Sequence, residues 1–102
     1  MNDFIELNHV ANLILEDKTD IIEGCRRIVS IRNHLELNED HDFLPIVAFV
    51  SEIDDYPNKE ASGRFNEEYL LKIRREVNSY IKIVKPTLQN ACATIIKKYP
   101  VT

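Results

Sequence analysis

FLPIVAFV, residues 43–50, is the stretch whose reading decides the fold of this 102-residue chain. It is an apolar octet broken only by Pro45. Asp42 precedes it, and Glu52, Asp54 and Asp55 follow in SEIDDYP, residues 51–57. An apolar run of this length is compatible with a buried strand or a short helix. Proline removes a ladder donor and is confined to sheet edges and bulges, and no second strand-like run exists to pair with this one. In the first turn of a helix the backbone N–H groups have no intrahelical acceptor, so Pro45 is tolerated there, and Asp42 is placed to cap that turn. The octet therefore reads as a short helix, and the chain as all-α.

Upstream, NDFIELNHVANLILED (residues 2–17) places Phe4, Leu7, Val10, Ala11, Ile14 and Leu15 three and four apart, with Asn2 or Asp3 to cap an amphipathic helix. DKTD (17–20) breaks the pattern. Asp20, followed three residues later by Glu23, is a carboxylate version of the capping box and opens a helix running to about Leu35. Its apolar face is Ile21, Gly24 with Cys25, Ile28, Ile31 with Arg32, and Leu35. Glycine inside a helix costs about 1 kcal/mol against alanine, so Gly24 predicts a close approach by another helix.

The polar segment ELNEDHD (36–42) then leads into the octet, and SEIDDYPNKEASGRF (51–65), with Pro57 and Gly63, reads as irregular chain. From Asn66 the helical period resumes at Tyr69, Leu70, Ile73, Val77, Tyr80 with Ile81, Val84, Leu88, Ala91 with Cys92, Ile95 and Tyr99. Pro86 falls inside it, where it clashes with the carbonyl of Lys82 at a cost of about 3 kcal/mol. The helix is either kinked near Lys82 or split around Lys85, and the unbroken phase favours the kink. The expectation is a compact bundle of four to five helices over residues 1–102, a single domain. Ile21, Cys25, Ile28, Leu44, Val47, Ile73, Val77, Ile81, Leu88, Cys92 and Ile95 are its predicted core.

Thirteen basic against seventeen acidic residues leave a net charge of −4, which argues against a nucleic-acid partner and towards a cationic one. No basic segment followed by an apolar one opens the chain and no apolar run approaches a membrane span, so a cytoplasmic protein without a membrane partner is expected. Cys25 and Cys92 lie on apolar helical faces and read as reduced core thiols; a disulfide between them requires close approach of their Cα atoms. No cofactor or metal is expected.

Catalytic patterns are missing from the sequence. His9, His34 and His41 fall in three segments, and His34, His41 and Asp42 meet only if the intervening loop folds back. Ser30, Ser51, Ser62 and Ser79 lack a nucleophile-elbow context. Cys25 follows a helix start and precedes Arg26 and Arg27, yet it occupies the buried stripe. The reading is a non-catalytic protein.

The acidic residues form the clearest pattern. Glu36, Glu39, Asp40 and Asp42 precede the octet; Glu52, Asp54, Asp55 and Glu60 follow it. Such clusters are solvated loops or a negative surface for a basic partner, with Tyr56 and Phe65 as aromatic anchors. Glu39, Asp40, Asp42, Glu52, Asp54, Asp55, Tyr56 and Glu60 are the candidate partner-binding residues. If the two clusters flank one short helix they can share a face. One of Arg26, Arg27 and Arg32 can bridge to Glu52 or Asp54.

The run IIEGCRRIVSIR (21–32) followed by DFLPIVAFVSEIDDYP (42–57) resembles an uncharacterised bacterial family of small proteins with an E-G-x-R-x-I helix, a D-F-x-x-x-V segment and an S-E-x-D-x-x-P turn. The likeness covers residues 20–57 and rests on Glu23, Gly24, Arg26, Asp42, Phe43, Val47, Ser51, Glu52, Asp54 and Pro57. Ile53 departs from the threonine that the family carries there. The resemblance implies a bacterial cytoplasmic protein with no assigned reaction. In type, a small acidic cofactor-free chain also looks like an immunity protein that blocks a basic toxin nuclease. The alternatives are a small enzyme or ligand-binding protein using Glu52, Asp54 and Asp55, or a regulatory scaffold domain.

Overall fold

The structure, a computed structural model, describes residues 3–55 and 67–101. Four helices account for most of it: α1 Asp3–Leu15, α2 Ile21–His34, α3 Leu44–Asp54 and α4 Glu67–Lys98, with one 3-10 turn, His41–Phe43, leading into α3. Each helix packs on two neighbours, in the order α1, α2, α3, α4 and back to α1. The octet is helical, as Pro45 required, and the chain is an all-α bundle.

α1 buries Leu7, Val10, Ala11 and Ile14 on one stripe, and α2 buries Gly24, Cys25, Ile28 and Ile31. The start of α2 is the predicted one: Asp20 is extended, and its carboxylate accepts the N–H of Glu23 at 3.0 Å. Both helices end in a Schellman arrangement. Lys18 N–H donates to Leu13 O at 2.9 Å and Asp17 N–H to Ile14 O at 3.2 Å; Leu37 N–H donates to Arg32 O at 3.0 Å and Glu36 N–H to Asn33 O at 3.2 Å. The left-handed residues are Asp17 (φ 58°) and Glu36 (φ 59°), where glycine is the usual choice.

Two expectations about α3 are corrected. Asp40, not Asp42, is the capping residue; its carboxylate accepts the N–H of Asp42 at 3.0 Å and starts the 3-10 turn. That turn carries Phe43 into the core, and Ile46, Phe49 and Ile53 follow at helical spacing. The buried face is therefore centred about one residue away from the predicted one. Leu44, about 100° round the helix from Phe43, is 50% exposed instead of being a core residue. Val47 is half-buried against the core.

α4 is one helix of 32 residues that continues through Pro86 and is not split there. At 1.5 Å per residue it is about 48 Å long, which accounts for the 49 × 24 × 23 Å extents of the molecule. Only Leu88, Ala91, Cys92 and Ile95 of it are fully buried. Val77, Tyr80, Ile81 and Val84 pack partly buried on the core, as does Ile21, and Tyr80 stacks on Phe49 at 5.8 Å. Ile73, predicted in the core, is half-buried beyond it, because the helices that form the core are less than half as long as α4. Among the described residues no helix is long and apolar enough to cross a membrane.

Gly24 does what its position predicted. A Cβ built there meets Ile14 Cγ1 at 3.0 Å, Ile14 Cδ1 at 3.1 Å and Thr19 Cγ2 at 3.2 Å, and Ile14 is only 2% exposed, with little room to yield. Gly24→Ala is expected to lower stability by about 1–2 kcal/mol in urea denaturation, the overpacking at the α1–α2 contact outweighing the gain in helix propensity. A more stable variant would show that Ile14 moves aside freely.

Candidate functional site

The acidic residues around α3 were predicted as one partner-facing group, and the fold divides them between the two ends of that helix. At its start, Asp40 is drawn inward: its side chain is 7% exposed. It accepts hydrogen bonds from the Asp42 N–H at 3.0 Å, from Lys98 Nζ at 3.0 Å and from the hydroxyl of Tyr99. Lys98 Nζ also lies 3.2 Å from Asp42 Oδ2. Lys98 is the last residue of α4 and Tyr99 the one after it, and a lysine there also complements the negative end of the helix. Tyr99 packs its ring against Phe4 at 5.5 Å and Phe43 at 6.3 Å, tying the end of α4 to α1 and to the 3-10 turn.

The electrostatics follow from these contacts. Loss of solvent pushes the Asp40 carboxyl up, but hydrogen bonds from Tyr99, the Asp42 amide and Lys98 together outweigh it and hold the group below its ordinary value. The bonds to Asp40 and Asp42 hold Lys98 above the ordinary lysine value, and the bond to Asp40, then burial, raises Tyr99. Asp40 and Asp42 are thus engaged within the chain, while Glu39 beside them is exposed.

At the other end of α3, Glu52, Asp54 and Asp55 all face solvent. Asp54 lies 2.8 Å from Arg26 Nη2, the bridge from α2 that the sequence suggested, and Arg26 also reaches Glu23 at 3.4 Å. The last turn of α3 holds no basic residue. Twelve residues separate Asp42 from Asp54, about 18 Å along a helix, so the two clusters mark opposite ends of α3. Tyr56, Glu60 and the suggested anchor Phe65 lie outside the described residues.

Some of the other titratable groups link one helix to another. His34 Nδ1 lies 2.7 Å from Asp3 Oδ2, linking the end of α2 to the start of α1, and Arg27 Nε donates to Glu6 at 2.7 Å. His34, His41 and Asp42 do not converge; among the described residues no group of three or more His, Cys, Asp or Glu side chains is arranged to hold a metal. Cys25 and Cys92 are free, buried thiols. Burial, then the nearness of Cys92 and Asp20, pushes the Cys25 thiol up to about 12, and burial alone does the same to Cys92. Both stay protonated near neutrality and lack thiolate character.

Among the described residues, two shallow grooves stand out on the surface. One, of about 260 Å³, is lined by His41, Asp42, Pro45, Thr87, Asn90, Ala91 and Thr94, where the start of α3 crosses α4. The other, of about 220 Å³, is lined by Glu67, Leu70, Leu71 and Arg74. Neither is lined by Glu52, Asp54 or Asp55. The sequence reading missed Lys98 and Tyr99 as partners of the first acidic cluster. Their only local signal is a basic and an aromatic residue at the end of a long apolar stripe, which does not say what they meet 58 and 59 positions away.

No family model matches the chain, and no curated protein or solved structure matches it either.

The Asp40 cluster makes a pH prediction. Asp40, whose value is lowered on folding, contributes stability that is fully present above its unfolded value of about 3.9 and is lost as pH falls through the lower folded value. Tyr99, whose value is raised, contributes stability that is full below about 10 and is lost as pH rises through the folded value. Tyr99→Phe is therefore expected to destabilise by about 1.5–3 kcal/mol at pH 7, the worth of a hydrogen bond to a charged group. The deficit should shrink once pH falls below that of an ordinary carboxyl. Paired urea titrations at pH 7 and in acid measure it; an equal deficit at both would show that the ionised carboxylate is not the acceptor that matters.

Proposed function

We propose that this chain is a non-catalytic binding protein that receives a basic partner at the acidic end of α3, acting as an immunity protein acts on a nuclease toxin. The observation that carries the reading is the placing of Glu52, Asp54 and Asp55 in and just after the last turn of α3. Carboxylates at a helix C-terminus oppose the helix dipole, by about 0.3–1 kcal/mol each at exposed sites. Three occur together here, and Arg26 is the one cation paired with any of them among the described residues. Local stability does not account for such an arrangement, whereas a cationic surface brought against it relieves the repulsion and gains from it. A surface built to hold phosphates is cationic in this way.

The other acidic cluster has a different part in this reading. Asp40 and Asp42 share Lys98 and hold the end of α4, so the partner surface is centred on Glu52, Asp54 and Asp55, with exposed Glu39 outside it. General acid–base chemistry is the less supported alternative, since an acid–base pair works within an enclosing pocket and all three carboxylates are exposed.

The Arg26–Asp54 bridge joins side chains that are 44% and 57% exposed. Exposed pairs contribute about 0–1 kcal/mol, so charge reversal is compatible with folding. The test begins with the gene adjacent to the one encoding this chain. Its product, if a basic nuclease, should arrest growth when expressed alone and be silenced by this chain. Asp54→Lys with Asp55→Lys should keep the helical spectrum, weaken binding about thirty-fold, equivalent to about 2 kcal/mol, and reduce the dependence of association on salt. Unchanged affinity in the folded double variant would remove this end of α3 from the interface.

A further inference from the structure

The first two turns of α4 carry a stripe that matches itself when turned end for end. Glu67, Leu70, Leu71 and Arg74 are spaced three, one and three residues apart, which aligns them along one side of the helix. These four are the described residues that line the groove of about 220 Å³. Glu67 and Arg74 are exposed, Leu71 is 50% exposed, and no residue of α4 before Leu88 is fully buried. Glu67 and Arg74 take part in none of the ion pairs found among the described residues. Seven residues apart, about 10 Å along the axis, they are too distant to neutralise each other within one chain.

We propose that this stripe is a self-association surface and that its occupant is a second copy of this chain. When two α4 helices lie antiparallel about a two-fold axis passing between Leu70 and Leu71, Glu67 of each copy faces Arg74 of the other. Leu70 then faces Leu71. An isologous contact demands this reciprocity, residue for residue. Its apolar centre and charged ends follow the usual layout of an interface, with leucines excluding water from the middle and ion pairs at the rim fixing the register. A parallel pairing would place Glu67 against Glu67 and Arg74 against Arg74, so the charges also select the direction. The stripe is about 12 Å long, well short of what an interface of roughly 1,600 Å² requires. The dimer is therefore reversible and concentration-dependent. It uses none of Glu52, Asp54 and Asp55, so it stands or falls independently of the proposed partner binding.

Sedimentation equilibrium of the full chain tests the proposal. The wild type is expected to move from the mass of the 11.9 kDa monomer towards twice that value as concentration rises from about 1 μM into the high micromolar range. Glu67→Arg and Arg74→Glu each set like charges opposite one another at both ends of the contact, and each should raise the dissociation constant at least about ten-fold. Mixing the two single variants should restore association as a heterodimer, and the double variant should restore it as a homodimer. All three substituted chains should keep the wild-type helical spectrum, because both side chains are exposed. A wild type that stays monomeric throughout overturns the proposal. So does association that survives the single substitutions, or that the compensating mixture fails to recover.

Discussion

The length of α4 constrains everything else in the molecule. Three shorter helices, of 13, 14 and 11 residues, supply the apolar faces against which a helix of 32 residues must pack. They can enclose only part of it. The enclosed part is the C-terminal half, where Leu88, Cys92 and Ile95 meet Leu7, Ile28, Phe43, Ile46 and Phe49 in one cluster. The Asp40 carboxylate then fixes the end of α4 by holding Lys98 and Tyr99, and Tyr99 in turn supports Phe4 and Phe43. The polar anchor and the apolar core thus act on the same half of the helix.

Charge is distributed along the same division. Residues 3–55 carry four Lys or Arg against thirteen Asp or Glu, while α4 carries seven against three. Attraction between α4 and the rest of the chain is used directly at Lys85–Asp17, 2.8 Å, and at Lys98 with Asp40 and Asp42. The modest overall charge of −4 conceals this segregation. Two acidic clusters that look alike along the chain therefore have different physical situations. One is satisfied by the end of α4; the other, past the reach of any α4 cation in the described structure, is left with Arg26.

What the sequence made legible was whatever depends on near neighbours. The helical class followed from Pro45 and the three-and-four spacing, the start of α2 from Asp20, and the α1–α2 contact from Gly24. The face of α3 was misjudged because a 3-10 turn capped by Asp40 changes the angle at which the helix enters the core, and an apolar octet has no polar side to reveal its rotation. The helix ends at Asp17 and Glu36 carry no glycine to announce a left-handed residue. At the candidate site, the Arg26–Asp54 bridge was anticipated because few cations were available to choose from. The Asp40–Tyr99 bond was not, since a contact spanning 59 positions is fixed by packing alone.

Pro86 sits just before the buried residues of α4, Leu88, Ala91, Cys92 and Ile95. It has no amide hydrogen, so the carbonyl of Lys82 lacks the donor that every other turn supplies. Helical order is normally transmitted along the backbone by an unbroken ladder, and here the ladder misses a rung between two segments with different degrees of burial. Opening of the outer segment need not propagate past Lys82 into the core. In the language of cooperative units, α4 is one helix by geometry and two by energetics. Backbone amides around Leu88 to Ile95 would exchange with solvent through global unfolding, and those of the exposed first turns of α4 through a separate, lower-energy opening.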